Sequence, residues 1–297
     1  MSLETLIRDQ LLSNEALAGK LSSYAGAPAI FFGIAPDDTE PDWFKDQYPR
    51  IAYTITKQAD NKRNTAGTLA MRVYCDSAHA QPEEIVPLIK ETMRYLVLTP
   101  EDQTSAFILS WNRTDSYEVP KVEGRGDKGE RVLMDQVLFD IYEYSDQTSS
   151  DPDPVEALNR YVKRVIPEAL VYGVDTFAPR VTASNEKPVI YCRLNAVECS
   201  KQVYAIAFMQ AMISVHILCP DASMRLKRVI SLQQEMQLVS RIWMSDQSPM
   251  MVERIASNLG SDPIVTGQLA TILGFTLPRH LEHSTQITNI HSDLTIL

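Results

Sequence analysis

A chain of 297 residues, 44% apolar and 22% charged with only 11 glycines, has the composition of a globular protein that can bury two cores, which excludes disordered, collagen-like and disulfide-stapled classes. The formal charge of -10 is uneven: residues 1–148 carry 15 Lys+Arg against 24 Asp+Glu, and the remainder carries 13 against 14. Without a basic stripe to release counterions, specific nucleic-acid binding is disfavoured.

The chain opens with acid before any apolar run and then places Leu3, Leu6, Ile7, Leu11 and Leu12 at helical spacing. This predicts an amphipathic helix ending before Gly19, and it lacks the basic-then-apolar order of a secretory signal. A loop through Gly26, Pro28, Gly33 and Pro36 reaches an acidic cluster (Asp37, Asp38, Glu40, Asp42), read as a solvated loop. Residues 49–56 alternate as a strand does, and in 67–75 Leu69, Met71 and Val73 share one face of a second strand. Pro82, Glu83 and Glu84 suit a helix N-terminus, with Ile85, Leu88, Ile89, Met93 and Leu96 continuing on one face. Segments 107–117 and 132–144 complete an αββαββ order.

Residues 146–154, polar and rich in Pro and Ser, are the composition of an interdomain linker, placing one domain over 1–145 and a second over 155–297. The pattern then restarts. Val155, Leu158, Val162, Val165 and Ile166 form another helical face, and residues 188–192 follow it as 49–53 followed the first, at an offset of 139 residues (188 minus 49). A long strand over 205–219, a helix over 224–243 and strands over 252–259 and 265–277 supply the rest. The halves share order and spacing rather than identity. The expected fold is therefore α+β: two tandem αββαββ domains, each a mostly antiparallel sheet packed with helices, the second a divergent copy with a C-terminal extension over 278–297.

The motifs carry no chemistry. Gly124, Gly126 and Gly129 match the spacing of a dinucleotide loop, but charged residues precede them and a strand follows, so a hairpin loop is the better reading. His280, Glu282 and His283, with His291, fall short of zinc spacing, and the acidic cluster lacks a calcium-loop framework. No Gly-x-Ser-x-Gly elbow occurs. His216, on the polar side of its strand, is read as a solvent-face or interface residue. The four cysteines, Cys75, Cys192, Cys199 and Cys219, are scattered and read as reduced thiols of a cytosolic product, mostly core filler. The most apolar stretch, 203–218, is interrupted by Gln210, Ser214 and His216 and is too short to span a bilayer. No catalytic residue, cofactor, metal site or membrane association is expected.

The αββαββ order, with the strand over 49–56, the strand over 67–75 running into Cys75, Asp76 and Ser77, and the helix from Pro82, resembles the phage tail terminator (tail completion) family. The resemblance covers residues 1–145 best; members are commonly single domains, so a tandem pair departs from the usual form. It implies a non-enzymatic structural protein of the virion tail, present in the host cytoplasm during assembly. Such a protein forms a ring that caps the tail tube and joins it to the head or neck. Its partners would be copies of itself, as a hexamer or a pseudo-sixfold trimer, the tube protein, and sheath or neck proteins. An acidic lumen would repel passing DNA. Two polar loops are the expected contacts: Asp60, Asn61, Lys62, Arg63 and Asn64, and Lys121, Arg125, Asp127, Lys128 and Arg131. The alternatives are another head-tail connector or neck protein, and an enzyme whose pocket gathers Asp115, Tyr117 and His216.

Overall fold

The computed structural model describes residues 1–58, 65–76, 80–101, 105–119, 132–147 and 150–279. The first half contains α1 (Leu3–Ser13), α2 (Glu15–Ala18), β1 (Ser23–Tyr24), β2 (Ala27–Pro28), β3 (Ile30–Phe32), β4 (Arg50–Lys57), β5 (Gly67–Asp76), α3 (Pro82–Met93), β6 (Leu96–Leu98), β7 (Ala106–Val119) and β8 (Val132–Tyr144). The second contains α4 (Pro154–Val165), β9 (Leu170–Val171), β10 (Arg180–Thr182), β11 (Val189–Gln202), β12 (Ile206–Leu218), α5 (Ala222–Val239), β13 (Arg241–Trp243), β14 (Pro249–Ser257) and β15 (Leu269–Pro278). The fold is α+β, with two mostly antiparallel sheets each packed with helices.

The two halves repeat one topology strand for strand. The first sheet runs β6-β7-β8-β5-β4-β3 and the second β13-β14-β15-β12-β11-β9, with a single parallel pair at the same end of each, β3 on β4 and β9 on β11. One irregularity coincides, although the two register shifts of β11 against β12 have no counterpart between β4 and β5. β7 bulges at Asn112 against β8, and β14 bulges at Glu253 against β15. Bulges are built-in features that re-aim a strand, so their match supports descent of both halves from one domain. The pairings equate Trp111 with Val252, Phe139 with Leu273, and Val97 with Trp243. Carried on across the sheet, they equate Leu69 with Ala211, Tyr74 with His216, and Arg50 with Tyr191.

Each sheet has its own helix-covered core. Leu3, Leu6, Ile7 and Leu11 of α1 and Ile85, Ile89 and Met93 of α3 pack on Ile51, Leu69, Met71 and Val73; Leu158 and Val162 of α4 and Val229, Leu232 and Met236 of α5 pack on Ile190, Ile213 and Leu273. Local chemistry starts the helices. Ser2, Asn14, Asp153 and Asp221 each accept a backbone N–H from the first turn that follows, and α3, lacking such a cap, begins at Pro82 with Glu83 and Glu84 behind it.

The helices expected over 82–96 and 224–243 are shorter. Tyr95 (φ 53°) and Ser240 (φ 56°) turn the backbone left-handed after each, and Leu96 and Trp243 continue as strands β6 and β13. Leu96 stays in phase with the helical stripe by coincidence of spacing, and three-residue strands have no periodicity to betray them. The strand from residue 188 runs on to Gln202, because its outer part pairs with β12 while wetting both faces and so shows no alternation. The loops after α2 and α4 hold β1 to β3, β9 and β10.

Candidate functional site

All ten expected contact residues, Asp60 to Asn64 with Lys121, Arg125, Asp127, Lys128 and Arg131, lie outside the described residues. So do the 280–283 segment, His291 and the glycines at 124, 126 and 129. Their flanks bear on whether the two loops act together. The first loop leaves from β4 and enters β5 at Gly67, which pairs with Ile141; the second enters β8 at Val132, which pairs with Asp76. These are opposite ends of the first sheet, roughly 30 Å apart at strand rise.

The most developed constellation is the junction between the domains, where β10 of the second half adds itself to the β6 edge of the first sheet. Arg180 pairs with Leu98, Val181 with Val97 and Thr182 with Leu96, and the ladder is extended by Thr99 N–H to the Pro179 carbonyl (2.9 Å) and Ala183 N–H to the Tyr95 carbonyl (3.1 Å). Behind this edge Val97, Ile108, Tyr142 and Tyr144 meet Val189, Tyr191, Leu218 and Ile264 in a third core. Tyr144 and Tyr191 stack with centroids 4.2 Å apart and planes 9° from parallel, and the His216 ring sits 5.6 Å from each.

The polar atoms there are paired across the boundary. Tyr144 donates its hydroxyl to the Ile264 carbonyl and Tyr191 to the Ser145 carbonyl, both at 3.2 Å, and Gln147 Oε1 accepts from Leu194 N–H at 3.0 Å. Asp153 caps α4 through the N–H groups of Val155 and Glu156. The expected linker is thus fastened at Gln147 and Asp153, and the chain just before it at Ser145. A carbonyl only accepts, so His216 Nδ1, 3.0 Å from the Pro263 oxygen, carries the proton. Burial, then the charge of Arg193, lowers the His216 pKa to about 4, and the ring is neutral at neutral pH. His216 is an interface histidine. Burial likewise raises the pKa of Tyr144 and Tyr191, keeping both as hydroxyl donors.

Beneath the linker a small cleft is lined by Asp153, Asn159, Tyr172, Tyr191 and Cys192, with space of about 30 Å³, room for a water or two rather than a substrate. The triplet Asp115, Tyr117 and His216 does not assemble. Tyr117 pairs with Met134, ten residues along β8 from Tyr144 (144 minus 134), so it lies roughly 30 Å from the His216 ring. Among the described residues no group of three or more His, Cys, Asp or Glu is placed to hold a metal ion, and no helix is long and apolar enough to cross a membrane.

The acidic loop is more than a solvated strip. Asp38 pairs with Arg50 at 2.7 Å and accepts from the Tyr48 hydroxyl at 2.9 Å. The Arg50 guanidinium also lies over the rings of Trp43, Tyr48 and Tyr74 at 5.5, 4.8 and 5.5 Å. Residue types alone hid both this cluster and the junction, since their signals are loop aromatics and strand-end tyrosines with no fixed spacing. No protein-family model matches the chain, and no curated protein is similar to it.

Proposed function

We propose that the chain is a structural component of a phage tail or tail-like particle, a terminator that assembles with copies of itself and with tail proteins and transforms no substrate. The observation that carries this reading is the way the duplicated domain is joined: two copies of one fold meet through different surfaces, an edge and strand ends on the first, a loop and strand starts on the second. A head-to-tail contact of this kind, repeated, closes into a ring when its rotation allows. With two equivalent domains per chain, a trimer offers six domain positions and a hexamer twelve. The first half, with its excess of 9 acids (24 minus 15), suits the side facing DNA, where like charge prevents adhesion. The tube protein is the expected axial partner, with sheath or neck proteins on the opposite face, in the virion tail and in the host cytoplasm while tails assemble.

Negative-stain microscopy of tail tubes incubated with the purified protein tests this. Density capping one tube end, with arrest of further tube growth, is the expected result. Tubes that elongate unchanged and carry no added density would overturn the terminator reading, and binding only to isolated capsid portals would assign the protein to the head side of the neck.

A further inference from the structure

The third core belongs to neither domain. Helices α1 and α3 cover one side of the first sheet and α4 and α5 one side of the second, and the cluster around Tyr144 and Tyr191 is separate from both of those cores. The two domains can therefore part by giving up this seam and the three-residue ladder of β10, each keeping its own helix-covered core.

His216 sits in the seam, where little is placed to neutralise a charge. On β12, Ile213, Val215 and Ile217 face the second domain's core, and alternation turns His216 to the opposite side, against Tyr144 and Tyr191. The ring is 0% exposed; Nδ1 donates to the Pro263 carbonyl, and Nε2 is buried with no hydrogen-bond partner among the described residues. A second proton would go on Nε2 and bring a full positive charge with it. Around the ring, β8 supplies Tyr144 and β11 supplies Tyr191, both uncharged, together with Arg193, of like charge. The loop before β15 supplies Asp262, whose carboxylate already accepts the N–H groups of Ile264 and Val265 at 2.7 and 3.1 Å, and the Ile264 carbonyl, which already takes the Tyr144 hydroxyl. Burial, then Arg193, disfavours the charged ring by more than the Pro263 and Ile264 carbonyls and Asp262 favour it.

We propose that the junction is an acid-operated latch, in which protonation of His216 releases the first domain from the second while both stay folded. Release lifts Tyr144 off the imidazole and lets water reach Nε2 without disturbing the second domain's own core, so the proton and the open form stabilise each other. It also bares the β6 edge and the seam faces of Val97, Tyr144 and Tyr191, which the closed chain withholds from any partner. The latch is independent of the tail reading. A ring that takes its proton near pH 6.5 in the open form and near 4 in the closed one raises the open-to-closed ratio about 20-fold at pH 5 and about 100-fold at pH 4, relative to neutral pH.

Hydrogen exchange of the full chain at pH 7, 5 and 4, read by mass spectrometry and corrected for the intrinsic rate at each pH, tests this. Amides of β6 and β10, with the flanking N–H groups of Thr99 and Ala183 that extend the ladder, are expected to lose protection about 20-fold at pH 5. Amides within the two sheets, such as those of Met71 and Ile213, are expected to keep theirs. His216→Gln should abolish the fall, and Arg193→Gln should reduce it, since removing the like charge lets the closed form take the proton more easily. Equal loss in the ladder and in both sheets would mean that acid unfolds the whole chain, and an undiminished fall in both variants would assign release to another group. Either result, or protection that stays level down to pH 4, would overturn the latch and leave the tube-capping test untouched.

Discussion

The rings of Tyr144 and Tyr191, one closing the first domain's last strand and the other near the start of the second domain's β11, stack 4.2 Å apart and 9° from parallel. Each is almost fully buried and each donates its hydroxyl to a backbone carbonyl, Tyr191 to Ser145 and Tyr144 to Ile264. The pair therefore couples the folding of the halves. Tyr191→Ala is expected to destabilise the protein by about 3 to 5 kcal/mol, from lost burial, a cavity and the lost ring pair. Urea denaturation followed by intrinsic fluorescence should change from one cooperative transition to two. A single transition with an unchanged midpoint would show that the junction carries little of the stability.

His216 makes the same junction sensitive to acid. Its ring faces Tyr144 and Tyr191 and the Pro263 carbonyl, with Arg193 and Asp262 as the charged neighbours. With a pKa near 4 in the fold against 6.5 for the free side chain, the unfolded chain binds the extra proton first. Stability contributed by the neutral ring is complete above pH 6.5 and is lost as pH falls toward 4, by on the order of 3 kcal/mol in all. His216→Gln should flatten the dependence of the urea midpoint on pH between 6.5 and 4; an equally steep dependence in the variant would assign it to other groups.

The sequence spoke clearly where one face of an element meets one core. The alternation of Leu69, Met71 and Val73, and the stripe of Leu3, Leu6, Ile7 and Leu11, were legible because burial follows the period of the backbone. The junction was not. β10 spans Arg180–Thr182 and has no period to show, and Tyr144 and His216 occupy the side of their strands opposite each domain's own core. Alternation tells which residues leave that core, but whether they meet water or another domain depends on docking. The polar loops read as contacts stand out by charge, whereas the exposed Phe44 and Trp243 follow Trp43 and Ile242, which are buried, so residue type gives no sign of which neighbour faces water.

Thiol chemistry gives an independent check on burial. Cys75, Cys192 and Cys219 are buried, and burial pushes the thiols of Cys75 and Cys192 up to about 12, while Cys199 is exposed on the outer part of β11. Since the thiolate is the reactive form, Ellman's reagent at pH 8 should titrate one thiol per native chain rapidly and the other three only in denaturant. Cys199→Ser should remove the fast phase. A fast phase persisting in that variant would mean that the sheets open more readily than their packing implies.

Arg50 anchors the loop that carries Ile34 and Phe44. Its guanidinium, largely buried, pairs with Asp38 at 2.7 Å and donates to the Pro36 carbonyl at 3.3 Å, with Trp43, Tyr48 and Tyr74 packed around it. Arg50→Met keeps much of the volume but removes the charge, while the Asp38 carboxylate keeps the hydrogen bond from the Tyr48 hydroxyl. The expected loss is about 2 to 3 kcal/mol, less than for a fully buried pair because Asp38 retains some solvent. Adding Asp38→Asn to Arg50→Met should recover part of that loss, since the carboxylate that lost its cation goes with it. Thermal melts of the two single variants and the double variant measure the coupling. Strict additivity would mean that the aromatic rings, rather than the ion pair, hold the loop in place.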